Sequence, residues 1–175
     1  MLLEPVADPV YVITGNLSML QTEQSLISWL KDEYPILLQE EPEAHIIVAG
    51  KAPTERIKNA CRERGVEVVD SPVNMQTVLS RGRYYLCPTS LGGGLKLRIM
   101  DGLKNGMPVL THRVSARGYE SFLNRSVFSY QDPDSFRDAW RKMKSIPLNR
   151  EEIVRAYKEV FSFEAGIERV RKALQ

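Results

Sequence analysis

The feature that most constrains this chain is a rhythm. Short runs rich in β-branched and aromatic residues recur, and a segment with helical spacing follows nearly every one. The runs are VYVIT (10–14), HIIVAG (45–50), VEVV (66–69), YYLCP (84–88), PVLTH (108–112) and SVFSY (126–130). The second is apolar throughout after His45, as a strand must be when helices cover both of its faces. Between the runs stand helical patterns. In the first, Leu26, Trp29, Leu30 and Tyr34 fall near helical spacing, and Pro35 is expected to kink or divide it. TERIKNACRERG closes at Gly65, and NMQTVLSRG opens on Asn74 as N-cap. A helix is expected over 95–105, closed by Gly106, and the chain from DPDSFRDAW onward reads as helices, with 147–175 as C-terminal helices. Strand–helix alternation of this kind specifies an α/β fold: a Rossmann-like parallel sheet of about six strands with helices on both faces.

With 175 residues, 1–175 reads as one domain with a core large enough to need no staples. A net charge of +2 points neither to nucleic acid nor to a membrane surface, and no apolar run reaches membrane-spanning length. Two cysteines, Cys61 and Cys87, are too few for a disulfide framework or a structural zinc site, so the expected compartment is the reducing cytoplasm.

Doubly wound sheets bind ligands beyond the carboxyl ends of their strands. The loops to inspect are therefore GNLSM, GKAP, DSPVNM and PTSLGGG. The last is the most informative. Gly92, Gly93 and Gly94 allow another group to approach the backbone, and the helix expected to follow would present unpaired N–H groups and partial positive charge. Lys96 and Arg98 add full charges. Between positions 81 and 125 there are eight Lys or Arg and only two acids, Asp101 and Glu120. Such a loop suits a phosphate group. It matches neither the dinucleotide fingerprint nor a P-loop. The plainer alternatives are a loose glycine turn, a solvated Lys96 and an Arg98–Asp101 pair at helical i, i+3 spacing. Leu95, Ile99 and Leu103 form the stripe expected to face the sheet. Asp101 falls off it and can accept hydrogen bonds from vicinal ribose hydroxyls.

The stretch GGGLKLRIMDGLKNGMPVLTHRVSARGYE resembles the donor-site segment of group 1 glycosyltransferases, and the upstream segments from Tyr11 resemble the same domain in the same order. The resemblance implies half of a GT-B enzyme: the C-terminal, nucleotide-sugar-binding domain of a retaining hexosyltransferase. The donor implied is a UDP-sugar or GDP-sugar, with no metal and no other cofactor. Carried over, the backbone of Gly92, Gly93, Gly94 and Leu95 would meet the diphosphate and sugar, Arg98 and Lys96 would stabilise the leaving diphosphate, and Asp101 would hold the ribose. Pro72 and Val73 would meet the nucleobase, and Gly15 and Asn16 would border the phosphates. The implied partners are the nucleotide diphosphate sugar and an N-terminal acceptor domain absent from this sequence, on which the C-terminal helices would partly pack. The full-length protein is expected at the inner face of the membrane or free in the cytoplasm, and this piece alone is expected to be inactive.

The sequence also departs from the family pattern. A Glu that many members place near the donor sugar is Gly93 here, Asp101 stands for the usual Glu, and GNLSMLQTEQS has neither of the basic residues that many relatives carry after the first strand. Two other readings follow from these departures: an interaction domain that kept the fold and lost the chemistry, or another nucleotide-sugar enzyme of the same architecture, such as an epimerase. No general base is visible. His112 is expected in a loop facing the interdomain cleft or solvent, and His45 is expected to be structural.

Overall fold

The computed structural model describes residues 9–174; residues 1–8 and 175, included in the single-domain reading, lie outside the described residues. Six strands form one sheet: β1 (Val10–Asn16), β2 (His45–Lys51), β3 (Glu67–Asp70), β4 (Tyr84–Cys87), β5 (Val109–His112) and β6 (Val127–Tyr130). Their spatial order is β3-β2-β1-β4-β5-β6, and every neighbouring pair is parallel. The helices are α1 (Leu20–Asp32), α2 (Tyr34–Glu40), α3 (Glu55–Arg62), α4 (Met75–Leu79), α5 (Arg98–Lys104), α6 (Pro133–Ser145), α7 (Arg150–Phe161) and α8 (Phe163–Ala173).

Alternation along each strand sorts the core into two layers. Tyr11, Ile13, Ile46, Val48, Leu86 and Leu110 point to one face, where Leu26 and Trp29 of α1, Ile57 of α3 and Phe136 of α6 cover them. Val12, Ile47, Ala49, Tyr85 and Val109 point to the other, under Val78 of α4, Ile99 and Leu103 of α5 and Ile153 of α7. Two-sided cover is why the central strands are apolar without interruption. A hydrogen-bonded relay stitches the first face across long sequence distances: Trp140 Nε1 donates to Tyr11 Oη at 2.8 Å, and Tyr11 Oη donates to Glu41 at 2.6 Å.

Local chemistry sets the breaks. Pro35 stands in the first turn of α2, where its missing N–H costs nothing, so the first helical segment is divided at Glu33 rather than bent. Asn74 caps α4 by accepting the Gln76 N–H at 2.9 Å, and Asp132 and Ser135 form a capping box at the start of α6. The C-terminal helices are α7 and α8. The latter has no fully buried residue, and its Phe163, Val170 and the adjoining Leu174 are exposed.

One boundary differs from the sequence expectation in a way that matters. The helix expected from Leu95 begins at Arg98, so Leu95 and Lys96 belong to the loop. Tertiary contacts hold them there. The Lys96 carbonyl accepts the Tyr119 hydroxyl at 2.8 Å, and Leu95 packs so closely on Gly118 that a Cβ there would come within 2.5 Å of Leu95 Cδ1.

The sheet opens at its centre. β1 pairs with β2 along its whole length, ending at Asn16 opposite Lys51, but with β4 only at Tyr11–Tyr84 and Val12–Tyr85. Past Val12 the rest of β4 pairs with β5 alone, and the end of β1 has no ladder partner on that side. This is the point where the strand order reverses, the standard position for a ligand crevice in such sheets. Cys61 and Cys87 are buried free thiols, and burial pushes the Cys61 thiol up to about 11. Among the described residues no helix is long and apolar enough to cross a membrane, and no cluster of His, Cys, Asp and Glu could hold a metal ion.

Candidate functional site

An open crevice of about 690 Å³ lies over the carboxyl ends of β1 and β2. Its floor is Thr14, Gly15 and Asn16 from β1 with Gly50 and Lys51 from β2. One wall is Ser71 and Pro72, which follow β3, with Met75 of α4; the other is Leu97 with Arg98 and Asp101 of α5. Side-chain alternation explains the grouping. Thr14 continues the face of Val12, and Lys51 that of Ala49, so both point to the side of the sheet that α4 and α5 cover.

Two glycines make the floor. A Cβ on Gly50 would stand 1.8 Å from the Gly15 carbonyl oxygen, so only glycine lets the ends of β1 and β2 approach as they do. A Cβ on Gly15 would stand 2.5 Å from Nη1 and 2.8 Å from Cζ of Arg98, so the guanidinium lies against the end of β1. Arg98 is thus folded into the crevice. Among the described residues no carboxylate comes within ion-pair distance of it, and the i, i+3 pair with Asp101 is not formed. Beneath it, Thr14 Oγ1 and Tyr85 Oη share a buried hydrogen bond of 2.6 Å. Burial raises the Tyr85 phenol far above its ordinary value, so it stays protonated.

Asp101 is half-buried in the same wall. Burial raises its pKa, while the neighbouring Lys104 and Arg98 pull it down. It combines a carboxylate that water does not fully satisfy with two nearby cations, which suits it to accept hydroxyl donors.

The glycine loop stands beside the crevice, beyond the ends of β4 and α1. It is tethered on both sides. The Ser90 amide donates to Ser25 Oγ of α1 at 3.1 Å, and Tyr119 holds Lys96 at the other end. Between the tethers, Gly92 and Gly94 take left-handed φ values of 84° and 76°, and all three glycines are exposed. Lys96 Nζ donates to the Gly93 carbonyl at 3.3 Å, which brings its charge back over the loop. No acceptor among the described residues takes the amides of Gly92, Gly93, Gly94 or Leu95.

Of the residues singled out from sequence, Gly15, Asn16, Pro72, Arg98 and Asp101 meet in the crevice. Gly92, Gly93, Gly94, Leu95 and Lys96 form the adjacent loop and do not line it. Val73 points into solvent, fully exposed, because the turn after β3 spends its inward position on Pro72. His112 is the last residue of β5, not a loop residue. Its ring stands edge-on to Tyr130, its Nδ1 accepts the Val114 N–H at 3.3 Å, and burial lowers its pKa. His45 lies 2.8 Å from Glu67, which Arg81 also holds. Gly50, Lys51, Ser71 and Met75 fall in the GKAP and DSPVNM loops marked from sequence but were given no role there, and Thr14 and Leu97 were not marked. Thr14 could have been found by following the first strand toward its last residues.

The family profile described as "Glycosyl transferases group 1" matches residues 8–144. Among curated proteins, an "Uncharacterized 44.6 kDa protein in cps region" of Klebsiella pneumoniae is 26% identical over 115 residues, covering 61% of this chain and 30% of its own. Among solved structures, TarM of S. aureus superposes with a TM-score of 0.70 at 12% identity, over 98% of this chain and 35% of TarM. The pneumococcal O-GlcNAc transferase GtfA, solved in complex with UDP and GlcNAc, gives 0.62 at 18% identity, over 98% of this chain and 37% of GtfA. The present chain therefore spans about a third of the length of these relatives, and the two structures establish its fold as that of a GT-B domain. By its sequence match over most of its length, the chain belongs to the group 1 glycosyltransferases.

Proposed function

We propose that this chain is the donor-binding part of a retaining glycosyltransferase that moves a hexose from a nucleotide diphosphate sugar to an acceptor hydroxyl. The observation that carries the reading is the Arg98 guanidinium lying on Gly15 at the point where the strand order reverses, with no carboxylate among the described residues paired to it. A partly exposed guanidinium held over a glycine floor is placed to form charge-assisted hydrogen bonds with an anion.

In this reading the diphosphate lies between Arg98 and the glycine loop, where the amides of Gly92–Leu95 and the charge of Lys96 face it. Asn16 borders it from the end of β1. The leaving diphosphate gains negative charge as the glycosidic bond breaks, and preorganised amides and cations stabilise that charge more than the bound ground state. Asp101 accepts the ribose hydroxyls, and Pro72 with Met75 forms the apolar wall for the base. No residue of this chain is assigned as a base, since retention asks none of the donor half. The acceptor contacts and closure over the donor belong to the remainder of a protein of the relatives' length. We place the protein in the cytoplasm, a reading supported by its two free, buried thiols.

The test is calorimetry with UDP, GDP and their sugars, alongside thermal unfolding. Binding should raise the melting temperature by linkage. Asp101→Ala should weaken the best nucleotide about tenfold or more, the worth of a charge-assisted hydrogen bond pair. Absence of binding by every nucleotide diphosphate at millimolar concentration would refute the assignment.

A further inference from the structure

Three charged side chains line the crevice: Arg98, Asp101 and Lys51. The proposed binding of a nucleotide diphosphate sugar gives roles to the first two and leaves Lys51 without one. The role assigned to Lys51 below rests on that same donor reading. Lys51 ends β2 two strands from β4, on the crevice floor beside the wall of Ser71, Pro72 and Met75, and it is exposed. Among the described residues no carboxylate lies within ion-pair distance of it.

The backbone around Lys51 is held in an unusual way. Ala52 and Ser71 both adopt left-handed φ values, 49° and 47°, which cost non-glycine residues free energy. They are tied to each other: the Ala52 amide donates to Ser71 Oγ at 3.1 Å, the Ser71 amide donates to the Gly50 carbonyl at 2.8 Å, and Ser71 Oγ donates to Asp70 at 2.8 Å. This knot fixes where β2 ends, and so where the Lys51 side chain starts. Strain locked by three hydrogen bonds beside a crevice is a positioning device.

The crevice has a direction. Arg98 marks the phosphate end, over β1. Pro72 and Met75 give the far wall, under β3 and α4, the apolar surface a flat ring needs. Lys51, on the floor at the end of β2, stands between them. An ammonium group there is a donor with no acceptor capacity. It favours the carbonyl oxygen that guanine carries as O6 and uracil as O4, and disfavours the amino group that adenine and cytosine carry at the same position. We infer that Lys51, held by the Ala52–Ser71 knot, selects nucleotide donors whose base carries a carbonyl at C4 (uracil) or C6 (guanine) over those that carry an amino group at that position, cytosine and adenine.

The experiment compares UDP with CDP and GDP with ADP, so that ring size cancels within each pair, with pyrophosphate as a base-free probe. Calorimetry on the wild-type protein should give UDP or GDP at least about tenfold tighter binding than its amino counterpart, as a charge-assisted hydrogen bond implies. In Lys51→Met that ratio should fall to within about twofold, with pyrophosphate affinity unchanged. Lys51→Arg should keep the preference. An unchanged urea midpoint confirms that the exposed substitution leaves the fold intact. Equal loss of all four nucleotides and of pyrophosphate would make Lys51 a phosphate ligand and overturn the inference, as would a preference that survives in Lys51→Met. A wild-type protein that binds none of the probes would instead overturn the donor reading itself.

Discussion

The two edges of the sheet carry two cavities built on opposite principles. At the carboxyl edge the crevice is open, floored by glycines and lined by unpaired charge. At the amino edge, below Pro108 and Ser126 where β5 and β6 begin, lies a more enclosed cavity of about 360 Å³. Its lining is largely apolar, with Phe122, Met143, Ile146 and Ile153 prominent. Enclosure alone would favour the second as the binding site. Chemistry favours the first. The lower cavity is where α6 and α7 fail to close perfectly against the sheet: its floor of Phe122, Phe128, Met143 and Ile153 belongs to the core, and Arg125, Asn149 and Glu152 stand at its exposed rim. The upper crevice contains residues that no core requires. Among the described residues, its arginine and its lysine have no carboxylate partner, and they converge with Asp101 on a glycine floor, while the lower cavity's Arg125 stands at an exposed rim. A site is marked by groups whose cost the fold leaves uncompensated, more than by volume.

This comparison can be broken or sharpened by substitution. The largest effect is expected at the crevice floor. Gly50→Ala puts a Cβ against backbone that cannot move aside, and should cost more than about 3 kcal/mol, near the limit of what a domain this size tolerates. Urea unfolding, or failure to accumulate folded protein, reads it. Next comes the lower cavity. Ile153→Ala should cost about 2–4 kcal/mol by deepening a void, while the folded fraction binds nucleotide as before. Weaker nucleotide binding in that variant would erase the distinction drawn between the two edges.

Gly15→Ala is smaller and more selective. Its clash is with the mobile end of Arg98, so the fold should survive within about 1 kcal/mol. Displacement of the guanidinium should weaken nucleotide diphosphates about tenfold, read by calorimetry. Unchanged affinity would mean that the pose of Arg98 on the strand end is irrelevant to binding.

The smallest effect belongs to a residue in neither cavity. Glu33, between α1 and α2, has its pKa raised to about 7 from 4.5, first by burial and then by Asp32. The unfolded chain loses this proton earlier than the folded one, so the residue favours folding below about pH 4.5 and progressively less as pH rises toward 7. Glu33→Gln should therefore raise stability at pH 8 by about 1 kcal/mol, after allowance for its half-exposed position, and by almost nothing at pH 4. Urea midpoints at the two values check the sign.

Much of this architecture was legible in the residues. All six strands follow from short β-rich runs, which two-sided burial keeps apolar at the centre of the sheet. Pro35 announced the division of the first helical segment, and Asn74 announced a cap. The start of α5 was not legible. Leu95 continues the spacing of Ile99 and Leu103, but Gly118 and Tyr119, more than twenty positions on, hold Leu95 and Lys96 out of the helix. Tertiary contact overrode local periodicity. In the candidate site, glycines and charges near a familiar motif stood out, so Arg98 and Asp101, which line the crevice, were marked from sequence. Lys51 and Ser71 lay in loops marked from sequence but received no role, because the face of the sheet on which they end depends on register between strands.

The paired tethers of the glycine loop carry one more implication. Ser25 and Tyr119 act as piers, and the span left free between them is little more than Gly92–Gly94 with its flanking leucines. Freezing a visitor's cradle therefore means stilling a handful of peptide units instead of the whole crossing from β4 to α5. At roughly 1–2 kcal/mol per immobilised residue, that economy is the difference between a grip of useful strength and one consumed by its own rigidification.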